Sequence, residues 1–193
     1  MKARLFFTAD SSSFVSRRVC ALTGGDFSHV GIVFYKETAP AEYFEAWHKK
    51  EGAGKNGLRG PLPLEKLARW QIEKPGARRF ELMPANGFLP ITEAEAVYMR
   101  LELMAARNRV KYAGLQILQN LVALRLGLQI SLRRGGAAKW TCSETVIRCL
   151  PARLWKYFDI PTYSADFIAP SGPRLPSIDA GLLRLFRAHK PTR

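Results

Sequence analysis

The residues best suited to chemistry lie around Cys142, in the stretch WTCSETV from 140 to 146. Thr141 and Glu144 have the spacing of a capping box, which predicts that a helix begins at Cys142. Unpaired backbone N–H groups and the helix dipole favour an anion there, so a thiolate at this position is a good nucleophile. Capping residues alone favour a plain buried thiol, because free cysteines are usually just buried. Cys149, two turns further along the same helix face, is expected to be inert packing.

A thiolate needs a base that takes its proton and later delivers it to the leaving group. The chain has three histidines. His189 lies in the basic tail near the end and is a poor candidate, and His48 ends a strand beside two lysines. His29 opens the apolar stretch HVGIVF and is the best placed of the three. A lone strand histidine is more often structural than catalytic, so His29 needs support from other residues.

Glu45 provides that support. The stretches 28–35 and 41–48 are rich in β-branched and aromatic residues and are joined by a short link, which predicts a hairpin. Glu45 lies among apolar neighbours in the second stretch, where an isolated carboxylate is costly unless it is paired. His29 on the first strand is its natural partner. The residues therefore predict a Cys142–His29–Glu45 arrangement, in which the glutamate orients the imidazole.

The other elements that must position these residues form an α+β pattern. Further strands are predicted over 4–9 and 78–84, and helices over 13–24, 64–70 and 92–107. The glycine-rich residues 49–63 are interpreted as a loop. Polar residues interrupt the apolar segment 115–132, and a spanning helix needs roughly 20 mostly apolar residues. That segment is therefore interpreted as a core helix, with docking on a membrane surface as the alternative.

Size and charge restrict the class of protein. A chain of 193 residues with 47% hydrophobic content predicts one domain over 1–193, with an irregular basic tail from about residue 170. The net charge of +14 suits an anionic polymer or a membrane surface, or simply keeps the protein soluble. Nucleic acid is a less favoured partner, because no zinc-finger or stacking signature accompanies the charge.

Three cysteines without paired spacing argue against a disulfide framework, and no spacing suggests a metal site or a cofactor. The first apolar run is too short for a signal peptide, so a cytoplasmic location is expected unless the protein is exported by another route.

Three stretches of the chain resemble the circularly permuted branch of the NlpC-type, papain-like cysteine hydrolases, and they occur in the order DFSHVGIVF, YFEAW and WTCSETV. Lecithin retinol acyltransferase belongs to the same broad superfamily. In the permuted branch the histidine strand comes first and the cysteine helix comes late, as in this chain, and the resemblance runs from about residue 4 to 169. It implies a permuted papain-like fold, in which a small antiparallel sheet or barrel packs against helices and the nucleophile begins a late helix.

The resemblance also implies roles for individual residues. Cys142 would be the nucleophile, His29 the base and Glu45 the orienting acid, with a backbone N–H at or next to Cys142 in the oxyanion hole. The sequence VKY at 110–112 is similar to a turn of the family, which places Tyr112 at the site or in the core. The remaining predicted substrate-pocket positions are close to the three catalytic ones in sequence, and they are Ser28, Trp47 and Ser143.

Two classes of function follow. The leading hypothesis is a cysteine hydrolase, or an acyltransferase, that cleaves an amide or ester bond through an acyl-enzyme on Cys142. A cell-wall peptide substrate would suit the basic surface, and an acyl lipid would suit the apolar segment 115–132. The alternative is a non-catalytic basic module that binds acyl lipid, a membrane surface or nucleic acid. A degenerate family member that binds acyl chains without turnover is a weaker variant.

Overall fold

The computed structural model describes residues 1–23, 26–47, 57–83, 89–112 and 139–154. Its strands are β1 (Lys2–Asp10), β2 (His29–Tyr35), β3 (Glu42–Trp47), β4 (Gly57–Pro63), β5 (Arg78–Leu82), β6 (Lys111–Tyr112) and β7 (Lys139–Trp140). Its helices are α1 (Phe14–Thr23), α2 (Glu65–Ile72), α3 (Glu93–Ala106) and α4 (Cys142–Cys149). Strands β1 to β5 form an antiparallel sheet in the order β4-β3-β2-β1-β5, and β6 pairs with β7 in parallel. The predicted α+β class and small antiparallel sheet are confirmed.

Alternation along the strands gives the sheet two apolar faces, because successive side chains point to opposite sides. In β1, Leu5 and Phe7 join the larger core, whereas Phe6 between them joins a smaller one. Helix α4 packs on the larger core through Ile147. Helix α2 packs on the smaller core through Leu67. The sheet is therefore sandwiched, with α2 on the opposite face from α4.

The hairpin of β2 and β3 places His29 and Glu45 on the α2 side. Val33 of β2 and Tyr43 of β3 both belong to the smaller core. His29 lies four residues before Val33, and Glu45 lies two residues after Tyr43, so alternation puts both on that same face. His29 is also the first residue of β2, so it stands at the end of the strand, where α4 packs against the sheet.

A bulge in β4 changes the pairing beside Glu45. Tyr43 pairs with Leu62, but Glu45, two residues further on, pairs with Arg59, which is three residues earlier than Leu62. With regular pairing Gly60 would face Glu45, and Arg59 would point to the other side of the sheet. Gly60 has a φ of +129°, and a Cβ there would lie 2.6 Å from the carbonyl oxygen of Tyr43. This position therefore requires glycine.

Most predicted elements are confirmed with their ends moved by one or two residues, including the capping box of Thr92 and Glu95 at the start of α3. The interpretation of 49–63 as a loop is wrong for residues 57–63, which form β4. The open edge of β3 has backbone groups that need partners, and β4 supplies them despite its glycines. Residues 48–56 lie outside the described residues.

The predicted core helix within 115–132 and the basic tail from about residue 170 also lie outside the described residues. Among the helices that are described, none has both the length and the apolar character needed to cross a membrane.

Candidate active site

Cys142 is the first residue of α4, as predicted from its capping box. The Thr141 hydroxyl accepts a hydrogen bond from the Glu144 N–H at 3.2 Å, and the Glu144 carboxylate accepts one from the Thr141 N–H at 2.9 Å. Both side chains are buried, so the box is held inside the protein. In a helix the first N–H groups have no partner within the helix. Those of Cys142 and Ser143 are in that position.

The far end of α4 separates the second cysteine of the helix from this site. Cys149 is buried, at 1% exposure, within the larger core. Burial, with a smaller contribution from the charge of Glu102, raises the pKa of Cys149 to about 12. The thiol of Cys149 is therefore protonated at neutral pH, in agreement with its predicted role as packing.

Substituting Thr141 with alanine is expected to cost about 1 kcal/mol of unfolding free energy, because the N-cap is lost. It is also expected to slow alkylation of Cys142, because the first turn that carries the thiol is no longer held in place. Urea unfolding and labelling with iodoacetamide measure the two effects.

Thr92→Ala is the matched control, because Thr92 caps α3 with the same hydrogen-bond pattern at an exposed position. It should lower stability by a similar amount and leave the alkylation rate of Cys142 unchanged. Equal rates of Cys142 alkylation in the two variants would contradict a positioning role for Thr141.

The predicted contact between His29 and Glu45 is present. His29 Nε2 lies 2.6 Å from Glu45 Oε2. The residues are 8% and 1% exposed respectively, so water has little access to the bond. His29 also interacts with the Cys142 side chain, which is close enough to hydrogen-bond with the imidazole. Because Nε2 is engaged by Glu45, Nδ1 is the ring nitrogen left for other partners.

These contacts set the charges of the site. Burial on its own would lower the pKa of His29, but the hydrogen bonds to Cys142 and Glu45 outweigh burial and raise that pKa to about 10. Burial on its own would raise the pKa of Glu45, but His29 and Arg59 outweigh it and hold the pKa below its ordinary value. At neutral pH the pair is therefore an imidazolium and a carboxylate.

Arg59 is a further member of the site. It donates to Glu45 Oε1 from Nε at 2.9 Å and from Nη2 at 2.6 Å. Its guanidinium carbon lies 4.3 Å from the ring centroid of Trp47, whose ring in turn meets His29 edge-on at 5.3 Å. Each oxygen of Glu45 thus has its own cationic partner. Sequence reasoning missed Arg59, because it lies in a glycine-rich stretch and faces Glu45 only through the bulge.

The predicted substrate-pocket residues divide into two groups. Ser28 and Trp47 both line a cavity together with His29, and the Ser28 hydroxyl lies 2.6 Å from that of Ser16. Tyr112 lies in β6, partly buried, and lines neither this cavity nor the second one beside it. Ser143 follows Cys142 in the backbone of α4. The structure therefore gathers Ser28 and Trp47 around the His29 side of the site.

Two cavities on the α2 face lie beside His29 and Glu45, and Cys142 lines neither of them. The first has a volume of about 230 Å³ and is bounded by α1, the end of β1 and His29. The second has a volume of about 330 Å³ and lies between β3, β4 and α2, with Glu45 and Arg59 in its wall. The residues that line both cavities are Thr8, Trp47, Trp70 and Glu73.

The chemistry of the site follows from its side chains. Within the described ranges, no cluster of three or more His, Cys, Asp or Glu residues could hold a metal ion. No protein-family model matches the chain, and no curated protein matches it. The site contains a thiol at a helix N-terminus, an imidazole that interacts with it and a buried carboxylate that binds the imidazole. This set is suited to nucleophilic and acid–base chemistry at a carbonyl group.

Proposed function

We propose that the protein is a cysteine hydrolase, or an acyltransferase with the same chemistry, that cleaves an amide or ester bond through an acyl-enzyme on Cys142. One observation carries the proposal: His29 is held by buried Glu45 at 2.6 Å through Nε2 and also interacts with the side chain of Cys142. A nucleophile, a base and an orienting group joined in series form the arrangement that nucleophilic catalysis requires.

The order of elements supports a permuted papain-like fold as part of the same proposal. The histidine strand β2 precedes the cysteine helix α4 by more than a hundred residues, and α4 packs against β2 and β3. The antiparallel sheet thus presents the base at a strand end, and the helix presents the nucleophile at its N-terminus. The placement of the base on a strand and the nucleophile on a later helix agrees with the resemblance in the sequence motifs.

In the proposed reaction, Cys142 Sγ attacks the substrate carbonyl carbon as a thiolate, and an imidazolium beside a cysteine stabilises that thiolate. The N–H groups of Cys142 and Ser143 at the start of α4 are suited to bind the oxyanion that forms. The C–N or C–O bond then breaks, and His29 Nδ1 delivers its proton to the departing amine or alcohol. A thioester on Cys142 remains.

The second half of the reaction releases the acyl group. Water attacks the thioester carbon while His29 takes a proton from it, and the C–S bond breaks to return the thiolate and a free acid. An alcohol or amine in place of water would give acyl transfer. Glu45 keeps the imidazole in the orientation that both halves need, and Arg59 keeps Glu45 ionised.

The buried charges favour this enzyme over the non-catalytic basic module. Glu45 is 1% exposed and lies between two cationic groups, which is an expensive arrangement to bury. A module that binds anions through its surface has no use for such a group. A catalytic base needs such a group, because the buried carboxylate keeps the imidazole in one orientation throughout the reaction.

Mapping of thiol alkylation tests the proposal. We expect iodoacetamide to modify Cys142 faster than either of the other two thiols at neutral pH, because Cys142 lies at a helix N-terminus beside His29. Cys149 should not react in the folded protein, because it is buried and its pKa is raised to about 12. Cys20 should react slowly, because burial and the charge of Asp26 raise its pKa. Mass spectrometry of peptides after timed labelling measures the three rates separately.

A His29→Ala variant is the internal comparison, because it removes the imidazolium and keeps all three thiols. Cys142 of this variant should lose its rate advantage over Cys20. If Cys142 of the unmodified protein were labelled no faster than Cys20, the enzyme proposal would be wrong.

A further inference from the structure

The two cavities beside the site form one groove, because Thr8, Trp47, Trp70 and Glu73 line both. At one end the groove reaches His29, which interacts with Cys142, although Cys142 itself lines neither cavity. At the other end it reaches the exposed side chains of Lys66 and Arg69 on α2. We call this surface the α2 groove. A substrate whose scissile carbonyl lies near His29 would extend along it toward α2.

Helical spacing explains why α2 presents one chemical face to this groove. The α2 residues and the following residue in its wall occur at intervals of three and four, which is the spacing of a single helix face. They are Lys66, Arg69, Trp70 and Glu73. Leu67, also in the wall, anchors the helix in the smaller core. One wall of the groove therefore carries two cationic side chains, Lys66 and Arg69, on a helix that is anchored in the core.

The acidic groups of the groove are already balanced by other cations. Glu45 is held by His29 and Arg59. Glu73 accepts a hydrogen bond from Arg78 at 2.7 Å, and Arg78 also donates to Asp10 at 3.2 Å.

Lys66 and Arg69 are different, because neither makes an ion pair with another residue in the part of the chain that the structure describes. At the α2 end of the groove, two positive charges are thus not neutralised by a carboxylate of the described residues. An anion bound there would gain from both charges, which stand one helical turn apart.

The rest of the lining indicates which kind of anion fits. In the second cavity the walls carry the indole rings of Trp47 and Trp70 and polar groups, and Leu67 is the aliphatic side chain among the described residues. The first cavity adds the small apolar side chains of Ala9, Val15 and Val19, so the aliphatic lining is mostly confined to the His29 end. An acyl chain needs a continuous apolar wall, whereas an extended peptide gains from indole faces and hydrogen-bonding groups. The groove is therefore better suited to a peptide than to a lipid.

We propose that the α2 groove is a binding site for a peptide-like substrate, with Lys66 and Arg69 forming a subsite for a substrate carboxylate. This inference rests on the proposed function, since it takes Cys142 and His29 as the point where the substrate reacts. It names acidic peptides as the substrate class. The two residues are specificity determinants and take no part in the chemistry.

Affinity labelling of Cys142 tests the inference without a known substrate. The probes are N-iodoacetyl peptides that end in glutamate amide or in glutamine amide, with glycine spacers of increasing length. Iodoacetamide measures the reactivity of the thiol by itself, and each rate is divided by that value. At low salt, the best glutamate probe is expected to label about tenfold faster than its glutamine partner, as two exposed charge contacts allow. The preference should shrink as salt is added.

The variant Lys66→Gln with Arg69→Gln is expected to abolish the preference for glutamate. Lys2→Gln with Lys74→Gln is the matched control, because it removes the same charge from exposed residues that line neither cavity. It should retain the preference. Equal labelling by the two probes at every spacer length would overturn the subsite, and so would an equal loss of preference in both double variants.

A third probe carries a phosphate on an alkyl chain and separates a lipid head group from a peptide carboxylate. If it labels faster than the glutamate probe and depends on the same two residues, the peptide assignment is wrong. Failure of iodoacetamide itself to select Cys142 would instead contradict the proposed function. The two failures are therefore distinct.

Discussion

Cys142→Ala is expected to reduce turnover of any substrate that the protein cleaves by about 10⁴-fold or more, because triad enzymes lose about that much without their nucleophile. Alanine removes Sγ and leaves the backbone N–H groups at the start of α4 in place. A panel of cell-wall peptides and acyl-chain esters, with product detection by mass spectrometry, measures the loss. The same panel tells whether amides or esters are the better substrates.

Cys20→Ala is the control for this experiment, because Cys20 is a second partly buried thiol that lies in α1. It should retain turnover close to that of the unmodified protein. Circular dichroism should show that both variants are folded. If turnover survived in Cys142→Ala and were lost in Cys20→Ala, the nucleophile would be Cys20 on α1, and the assignment to Cys142 would be wrong.

Glu45→Ala is expected to lower the free energy of unfolding by about 3–5 kcal/mol, because removing one partner of a buried ion pair leaves uncompensated charge inside the protein. Here the change leaves His29 and Arg59 as neighbouring cations around an empty space. Urea unfolding measures the effect. Glu42→Ala, on the same strand, removes a more exposed partner of Arg100 and Lys36. Its cost should stay near 1 kcal/mol or below, as for surface pairs.

The pH dependence of this loss has a definite sign. Glu45 has a folded pKa below its ordinary 4.5, so its stabilisation is present above pH 4.5 and is lost as the pH falls through the lower value. His29 has a pKa raised from 6.5 to about 10, so its stabilisation is complete below pH 6.5 and is lost as the pH rises toward 10. The difference between the unmodified protein and Glu45→Ala should therefore be greatest between pH 4.5 and 6.5. A difference that stays constant from acid to pH 10 would contradict the buried pair.

The parts of the fold that were predictable are those with a local signal. β-Branched and aromatic residues around Val33 and Tyr43 indicated the central hairpin, and the capping box of Thr141 and Glu144 indicated where α4 begins. The contact between His29 and Glu45 was predictable for a physical reason, because a carboxylate in an apolar strand needs a partner. Its distance and burial needed the structure.

The parts that were not predictable depend on pairing between distant segments. Nothing in the stretch from Gly57 to Pro63 resembles a strand, because glycine and proline are poor strand formers. Those residues become β4 only because the edge of β3 is available to pair with them. Arg59 and the α2 groove follow from that pairing, so no local pattern could indicate them. Sequence reasoning therefore identified the proposed catalytic residues with Ser28 and Trp47 beside them, and it missed Arg59 and the face of α2.

Chain length in β4 matters to the site as much as residue identity does. The three-residue step from Arg59 to Leu62 spans a two-residue step on β3, and the surplus residue alone turns the guanidinium toward Glu45. A chain one residue shorter here would carry the same arginine on the side of the larger core, where a charge is costly. Over evolutionary time, gain or loss of a residue in this edge strand would thus be opposed by electrostatics even where every side chain was preserved.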